Sequence, residues 1–340
     1  MSSGRWIALA MSVLIAGCSA EVGVAGAPVV YGADDRAEVY EHAGAVHRAI
    51  AESAIAMQVG AEWIDASDPS NVRITYTQTL GEAHSLCADV RYQDQIEPGT
   101  CSGTLIDERH LLTAGHCVSA AADCDGASWP WVLGFHYEDA GRLRTLRADD
   151  VYHCVRTVVL RDDEAADYAV IELDRAVVGH TPARVRRAPS PIGTPVTMIG
   201  HPNGIPMKVA GSAMIRSAIG IELQADLDAF FGNSGSGVFD DAGEVIGILV
   251  AGAPADFERR PGAGCSEIVV LDPLPETQEY LTAVAGPIDA FCAVPGIVSP
   301  VCDRVTSDGG APSIDAGAPA TDAGATDAGA PTIGDAALSD

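Results

Sequence analysis

Short apolar runs separated by Gly, Pro and Asp occupy most of the chain between about residues 85 and 290. Each run has the length of a strand, and no long alternation of strand-like and helix-like segments accompanies them. This argues against a doubly wound parallel sheet and predicts the strands of a barrel or sandwich. The clearest runs are 102–106, 131–136, 151–160, 168–173, 195–200 and 244–250.

Residues 36–57 have helical spacing instead. Their apolar positions form a stripe along one face of a helix, although Gly44 interrupts the pattern. We therefore expect a helix within this segment, ahead of the strands. The stripe consists of Ala37, Val39, Ala43, Ala45, Val46, Ile50, Ile55 and Met57.

The first 17 residues have the pattern of an export signal, with an apolar run at 6–16 that is too short to span a bilayer comfortably. The run ends in Leu14-Ile15-Ala16-Gly17-Cys18, which resembles a bacterial lipoprotein signal in which the Cys is lipidated. An ordinary secretory signal with a chance Cys is the alternative. We expect an exported bacterial protein, either a cell-envelope lipoprotein anchored at Cys18 or a secreted one, with 18–28 as a linker or short propeptide.

The other end of the chain, residues 304–340, is of low complexity. Asp-Ala-Gly recurs between 315 and 329, and residues 308–340 contain six Asp and no basic residue. Such a segment has too little apolar surface to offset its ordering entropy. We predict a disordered acidic tail and place the folded domain at 29–303.

A formal net charge of −27, from 47 acidic and 20 basic residues, restricts the partners. An acidic surface repels phosphate backbones, and an aromatic content of 5% leaves few platforms for stacking single-stranded nucleic acid. We therefore expect no nucleic-acid partner, membrane contact only through a lipid anchor, and a monomer.

The cysteines and histidines argue against a metal site. The nine Cys include no CxxC pair and the nine His no HExxH motif. Without Cys18 an even number of Cys remains, which fits four disulfides formed in an oxidising compartment. Cys292 and Cys302 are candidates to bridge each other. We expect no metal site and no cofactor, with a structural calcium among the acidic loops as the open alternative.

Three segments carry candidate chemistry, and the first is 111–117. It places His116 after an apolar strand and the small-residue turn Ala114-Gly115, so that the ring can project from the strand end. Cys101 lies sixteen positions before Cys117. A disulfide between them would pin the loop that carries His116 and would be worth about 3 kcal/mol, less any strain.

The second segment, 167–173, places Asp167 at the start of a strongly apolar strand, a position that Asp also takes in ordinary turns. The third, 231–237, is rich in Gly and places Ser234 ahead of an apolar strand. Such a loop can aim the backbone N–H groups of Gly232 and Ser234 at one point as an oxyanion hole, with the Ser234 hydroxyl as nucleophile.

Taken together, these segments resemble the chymotrypsin-like serine proteases, and more narrowly the bacterial glutamyl endopeptidases. The order His, Asp, Ser is that of this fold, whereas α/β-hydrolases run Ser, Asp, His and need Gly-x-Ser-x-Gly, which Ser236 breaks. The likeness rests on Thr113-Ala114-Gly115-His116-Cys117, Asp167 before Tyr-Ala-Val-Ile-Glu-Leu, and Gly232-Asn233-Ser234-Gly235-Ser236. The narrower likeness adds 29–36, which matches the start of the mature enzymes, and 244–248.

The resemblance implies an all-β fold of two six-stranded antiparallel β-barrels with a C-terminal helix. It implies an exported serine endopeptidase that hydrolyses polypeptides through an acyl-enzyme intermediate, with His116, Asp167 and Ser234 as its triad. Two alternatives stay open: a catalytically silent homologue that acts as a binding module, and an esterase on the same fold.

The substrate pocket, which the resemblance implies at Asp228, Leu249 and Gly252, departs from the glutamyl endopeptidases. Those enzymes read the substrate carboxylate with a His where this chain has Leu249, which offers no donor. Asp228 lies six residues before Ser234, the spacing of the trypsin-like pocket Asp that selects Lys or Arg, but glutamyl-type members also have it. A basic, a small or apolar, and an acidic preference all stay open.

Asn233 marks a second departure. Trypsin-like enzymes have Asp at this position, which pairs with the new N-terminal amine after zymogen cleavage, and Asn cannot form that ion pair. Cleavage before Val29 would also separate the enzyme from a lipid at Cys18. A processed, released enzyme and a tethered one are therefore competing hypotheses.

Overall fold

The computed structural model describes residues 30–252, 255–271 and 278–303. The predicted signal at 1–17, Cys18, the linker at 18–28 and the tail at 304–340 lie outside the described residues. Within those residues, no helix is long and apolar enough to cross a bilayer.

Strands dominate the described chain. The α-helices are α1 Ala45–Ala54, α2 Leu80–His84 and α3 Ala285–Cys292, and 3-10 turns span Ala61–Trp63, Gly115–Val118, Ala121–Cys124, Ala148–Asp150, Pro202–Gly204 and Pro300–Cys302. In chain order the strands are β1 Val30–Tyr31, β2 Ala37–Glu38, β3 Ile55–Val59, β4 Ile64–Asp65, β5 Arg73–Ile74, β6 Gly99–Leu105, β7 His110–Thr113, β8 Trp131–Leu133, β9 Tyr137–Asp139, β10 Arg142–Leu143, β11 Val151–Tyr152, β12 Cys154–Asp163, β13 Ala166–Leu173, β14 Arg184–Val185, β15 Pro195–Gly200, β16 Lys208–Ile219, β17 Glu222–Ala225, β18 Gly237–Phe239, β19 Glu244–Ala251, β20 Phe257–Arg259, β21 Ser266–Ile268, β22 Val270–Leu271 and β23 Glu279–Ala283.

The C-terminal half forms a closed barrel. Six strands pair in the order β19-β18-β15-β16-β17-β23, and β23 pairs back onto β19, all antiparallel. Closure leaves no open edge in the ring. The buried side chains inside it include Val196, Met198, Ala213, Ile215, Leu223, Val238, Ile246 and Leu281.

The N-terminal half forms a curled sheet of seven strands in the order β11-β8-β3-β6-β7-β13-β12. Its end strands, β11 and β12, do not pair with each other in the described residues. β11 has only two residues and leads through His153 directly into β12, so it offers no run of free N–H and C=O groups to close a ring. The prediction of an all-β fold with two barrels and a C-terminal helix is confirmed, with the difference that the first barrel is a half-barrel of seven strands rather than a closed one of six.

The helix prediction for 36–57 holds only for α1. The helix begins after Gly44, whose backbone is extended at φ −73° and ψ 107°, and it ends where β3 begins at Ile55. All five residues of β3 are buried, and the strand pairs with β6 on one side and β8 on the other. Sheet pairing and burial on both faces therefore override the helical spacing there.

Four disulfides cross-link the described residues, which confirms that the chain is disulfide-bonded. They join Cys87 to Cys265, Cys101 to Cys117, Cys124 to Cys154, and Cys292 to Cys302. The Cys101–Cys117 bond ties β6 to the turn that follows β7, and this turn carries His116.

Candidate active site

His116 lies at the end of a fully buried strand. All residues of β7 are buried, and the chain then turns through Ala114 into the 3-10 turn Gly115–Val118. A Cβ on Gly115 would lie 1.9 Å from the carbonyl oxygen of Arg161, so only glycine fits against the β12 backbone there. The close approach brings the turn against the β12–β13 hairpin.

Asp167, in the β12–β13 hairpin, contacts the Gly115–Val118 turn. Its Oδ2 lies 2.6 Å from His116 Nδ1, and its Oδ1 accepts hydrogen bonds from the N–H groups of Gly115 at 2.5 Å and His116 at 3.1 Å. Burial disfavours the protonated ring of His116, but the hydrogen bond to Asp167 and the charges of Asp167 and Asp162 outweigh it and raise the pKa of His116. The carboxylate therefore orients the ring and stabilises its cationic form.

Thr282 supports this pair from the other sheet. Its hydroxyl donates to the backbone carbonyl of Asp167 at 2.7 Å, which ties β23 to the start of β13. Sequence reasoning missed Thr282, because a Thr within an apolar strand gives no signal of such a contact.

Ser234 is brought beside the His116 turn by backbone contacts. The N–H of Ser102 in β6 donates to the Ser234 carbonyl at 2.8 Å, and Cys117 Sγ lies 3.7 Å from the same oxygen. Asn233, 1% exposed, braces the loop from inside: Oδ1 accepts from Phe230 N–H and Nδ2 donates to Ser236 Oγ, each at 3.0 Å. The loop is thus held by neutral hydrogen bonds where trypsin-like enzymes use an ion pair.

The directions of the Gly232 and Ser234 N–H groups are fixed by hydrogen bonds to the carbonyl at the other side of each peptide bond. The Phe231 carbonyl accepts from Asn203 N–H, and the Asn233 carbonyl accepts from Ser236 N–H. Because a trans peptide points its N–H opposite its C=O, the N–H groups of Gly232 and Ser234 face away from these bonds. Neither donates to a protein acceptor within the described residues, so both are available to bind an oxyanion.

Of the pocket candidates, Asp228 is buried at 3% exposure under the N-terminal segment. Its Oδ1 accepts from Tyr31 N–H and its Oδ2 from Asp35 N–H, both at 2.8 Å. Burial and the neighbouring Asp34 raise the pKa of Asp228, and burial together with Asp228 raises the pKa of Asp35 to about 7. The chain's own backbone therefore engages both oxygens of Asp228.

The other pocket candidates lie on β19 and just after it. Leu249 is buried, and its N–H and C=O bond to the Ser234 loop at Ser236 and Gly235. Gly252 packs against the buried Glu279, whose Oε2 would lie 1.7 Å from a Cβ there, and the Tyr31 hydroxyl donates to Glu279 Oε1 at 3.0 Å. The sequence offered no sign of Tyr31 or Glu279 at this place.

One grouping of metal-type ligands occurs near the site, formed by Cys101, His116 and Cys117. The two sulfur atoms are bonded to each other, so they carry no thiolate with which to bind a metal ion.

Comparison with known proteins agrees with this arrangement. Residues 101–248 match the family model for the trypsin-like peptidase domain, a stretch that contains His116, Asp167 and Ser234. The resemblance to the chymotrypsin-like serine proteases is therefore confirmed.

Among solved structures, the chain is similar to a Glu endopeptidase at 18% identity, with 77% of this chain and 97% of that chain covered and a TM-score of 0.45. It is also similar to the active form of the Rv3671c protease from M. tuberculosis at 17% identity, with 76% and 87% covered and a TM-score of 0.42. No curated protein sequence matches the chain.

Proposed function

We propose that this serine protease is an exported endopeptidase that cleaves polypeptides with His116, Asp167 and Ser234. The observation that carries the proposal is the His116–Asp167 pair, 2.6 Å apart, beside a serine whose neighbouring N–H groups are unbonded within the described residues. An imidazole backed by a carboxylate activates a serine hydroxyl, and the two N–H groups supply the oxyanion hole.

In the proposed reaction, Ser234 Oγ attacks the scissile carbonyl carbon while His116 Nε2 takes the hydroxyl proton. The carbonyl oxygen becomes an oxyanion that accepts hydrogen bonds from the N–H groups of Gly232 and Ser234. His116 then returns its proton to the leaving amine, which departs and leaves an acyl-enzyme. Water, deprotonated by His116, attacks the ester carbonyl, and the same steps release the acid and restore Ser234.

Among the described residues, no hydrogen bond joins Ser234 Oγ to the His116 ring. Catalytic hydrogen bonds are often long in the resting enzyme and tighten in the Michaelis complex. The role of Ser234 therefore rests on its position beside the Cys101–Cys117 turn and on the N–H groups around it.

The same pocket residues disfavour cleavage after Glu. Leu249 offers an anionic side chain no donor, and Gly252 packs against the carboxylate of Glu279. We expect a digest of a peptide library to show cleavage after basic, small or apolar residues, and enrichment of Glu at the cleaved position would contradict this.

The disulfides support the proposal of export, since four disulfides suit an oxidising compartment. We propose lipidation at Cys18 or release by cleavage before Val29. Either form is compatible with the burial of Val30, whose N–H donates to Val269 O at 3.2 Å. Mass spectrometry of the mature N-terminus separates the two, because only the tethered form begins with a lipidated Cys18.

Labelling with a fluorophosphonate tests the proposed nucleophile. We expect the wild-type protein to form a stoichiometric adduct at Ser234, because the activated hydroxyl attacks phosphorus and displaces fluoride. Ser234→Ala should take up no label, whereas Ser119→Ala, which changes an exposed serine three residues after His116, should still be labelled at Ser234. Folded wild-type protein that stays unlabelled would instead favour a binding module.

The acid limb of the pH profile reports the general base. His116 must be neutral to accept a proton, and its pKa is raised, so kcat/KM should rise as the pH increases through a value above about 6.5, the ordinary His pKa. Initial rates from pH 5 to 9 measure the midpoint, and an NMR titration of the His116 ring assigns that midpoint to His116. A midpoint below 6.5 would contradict the stabilising role of Asp167.

A further inference from the structure

A tight turn lies against the Ser234 loop, residues 231–237, and takes no part in the proposed reaction. This turn, Pro202–Gly204, packs directly beneath Gly232, where a Cβ would lie 2.6 Å from both Gly204 N and His201 O. Asn203 adopts a left-handed conformation with φ 50° and is 8% exposed. Asn tolerates this backbone region better than most residues, and here its side chain also has a partner.

That partner is Asp256, a carboxylate at 4% exposure that lies just before β20. Asp256 Oδ2 accepts from Asn203 Nδ2 at 2.5 Å and from Phe231 N–H at 3.2 Å. The backbone N–H of Asn203 in turn donates to the Phe231 carbonyl. Asp256 and Asn203 therefore hold both the N–H and the C=O of Phe231.

Holding Phe231 fixes the oxyanion hole. The Phe231 carbonyl and the Gly232 N–H belong to one planar peptide, so the bond from Asn203 determines where the Gly232 N–H points. Gly232 has φ 79° and tolerates both orientations of the peptide plane. Without the bond from Asn203, nothing in the glycine itself prevents the plane from turning its carbonyl into the hole.

We propose that Asp256, acting through Asn203, is a positioning residue that keeps the Phe231–Gly232 peptide in the orientation that binds the oxyanion. The proposal rests on the proposed function, since it assigns the Gly232 N–H to the transition state. Within the described residues, neither Asp256 nor Asn203 forms a hydrogen bond with Ser234.

The charge of Asp256 gives the contact a pH dependence. Burial raises the pKa of Asp256 to about 7, although the hydrogen bonds from Asn203 and Phe231 and the charges of His84 and Arg36 oppose this. His84, at the end of α2, is itself paired with Glu97 at 3.1 Å. The ionised carboxylate accepts from both donors, whereas the protonated acid loses acceptor capacity, so the loop is held best above pH 7.

Kinetics of Asn203→Ala and Asp256→Asn test the positioning role. We expect kcat to fall about 10- to 100-fold for Asn203→Ala, near the cost of weakening one oxyanion donor, with KM within about threefold because the substrate ground state does not need the donor. Glu258→Gln, an exposed carboxylate two residues beyond Asp256, is the matched control and should leave kcat unchanged. Rates are expressed per active site titrated with fluorophosphonate, so unfolded protein does not enter kcat. Unchanged kcat in both variants would overturn the proposal.

A measurement that does not need activity separates this proposal from the proposed function. Phe231-Gly232 is the only Phe-Gly pair in the chain, so labelling Phe with ¹³C at the carbonyl and Gly with ¹⁵N isolates the Gly232 amide signal by NMR. In a His116→Ala background, which removes titration of that ring, the signal should shift with a midpoint near pH 7, and Asp256→Asn should abolish the shift. A signal that does not respond to pH, or that responds equally in the Asp256→Asn variant, overturns the positioning role. An inactive wild-type enzyme overturns only the proposed function.

Discussion

Replacing Asp167 with Asn is expected to lower kcat about 10⁴-fold, the effect known for this change in the Ser-His-Asp template. The geometry here explains the direction. Oδ1 accepts two N–H groups, from Gly115 and His116, so the amide oxygen of an Asn must take that place. Its NH₂ then faces His116 Nδ1 and selects the tautomer with the proton on Nε2, which cannot accept a proton from Ser234.

Steady-state kinetics measure the loss, and the acid limb of the pH profile should move to lower pH because the stabilising charge is gone. Asp162→Asn is the matched control: this exposed residue lies opposite Asp167 on β12 and also raises the pKa of His116. It should shift the limb slightly and leave kcat near the wild-type value. Equal activity of wild type and Asp167→Asn would remove Asp167 from the mechanism.

Arg36→Ala is expected to lower the free energy of unfolding by about 3 kcal/mol, as for the breaking of a buried ion pair. Arg36 is 2% exposed, pairs with Asp34 at 2.8 Å, and lies 3.9 Å from the centre of the Phe230 ring. Removing the side chain leaves a mostly buried carboxylate with one partner fewer and a cavity beside Phe230. Because Phe230 precedes the Ser234 loop, activity should fall together with stability.

Urea denaturation followed by fluorescence measures the change. Arg142→Ala provides the comparison, since Arg142 pairs with Asp139 at 2.8 Å but is 60% exposed, and exposed pairs contribute at most about 1 kcal/mol. If Arg36→Ala and Arg142→Ala lowered the free energy of unfolding by similar amounts, the stability of the N-terminal segment would not depend on its buried arginine.

Strand positions were predictable because a strand needs only a short apolar run between turn residues. The run 195–200 coincides with β15, and 168–173 lies within β13. The helix was harder to place, since residues 55–57 continue the helical stripe but pair as β3 between β6 and β8. Local spacing does not reveal which segments find two strand partners.

The residues proposed for catalysis could be identified from the sequence because His116 and Ser234 each lie in a short contiguous motif. The contacts that hold them were not visible. Thr282, Asn203 and Asp256 lie far along the chain from the residues they support, in segments that look like ordinary strands and turns. Asp228 shows the same limit, since its spacing from Ser234 suggests a pocket residue, whereas the fold covers it with Tyr31 and Asp35.

The amino-acid sequence by itself determined the class of fold, the disulfide-bonded character and the candidate nucleophile, base and carboxylate, because each depends on residue type and local order. The pairings of Cys101 with Cys117 and of Cys292 with Cys302 were also anticipated from the sequence. Only the tertiary structure decided that the first barrel stays a half-barrel, that Cys87 pairs with Cys265 and Cys124 with Cys154, and how the N-terminal segment and the Pro202–Gly204 turn brace the Ser234 loop. These features depend on hydrogen bonds between residues as many as 248 positions apart, and such bonds form only once the chain has packed.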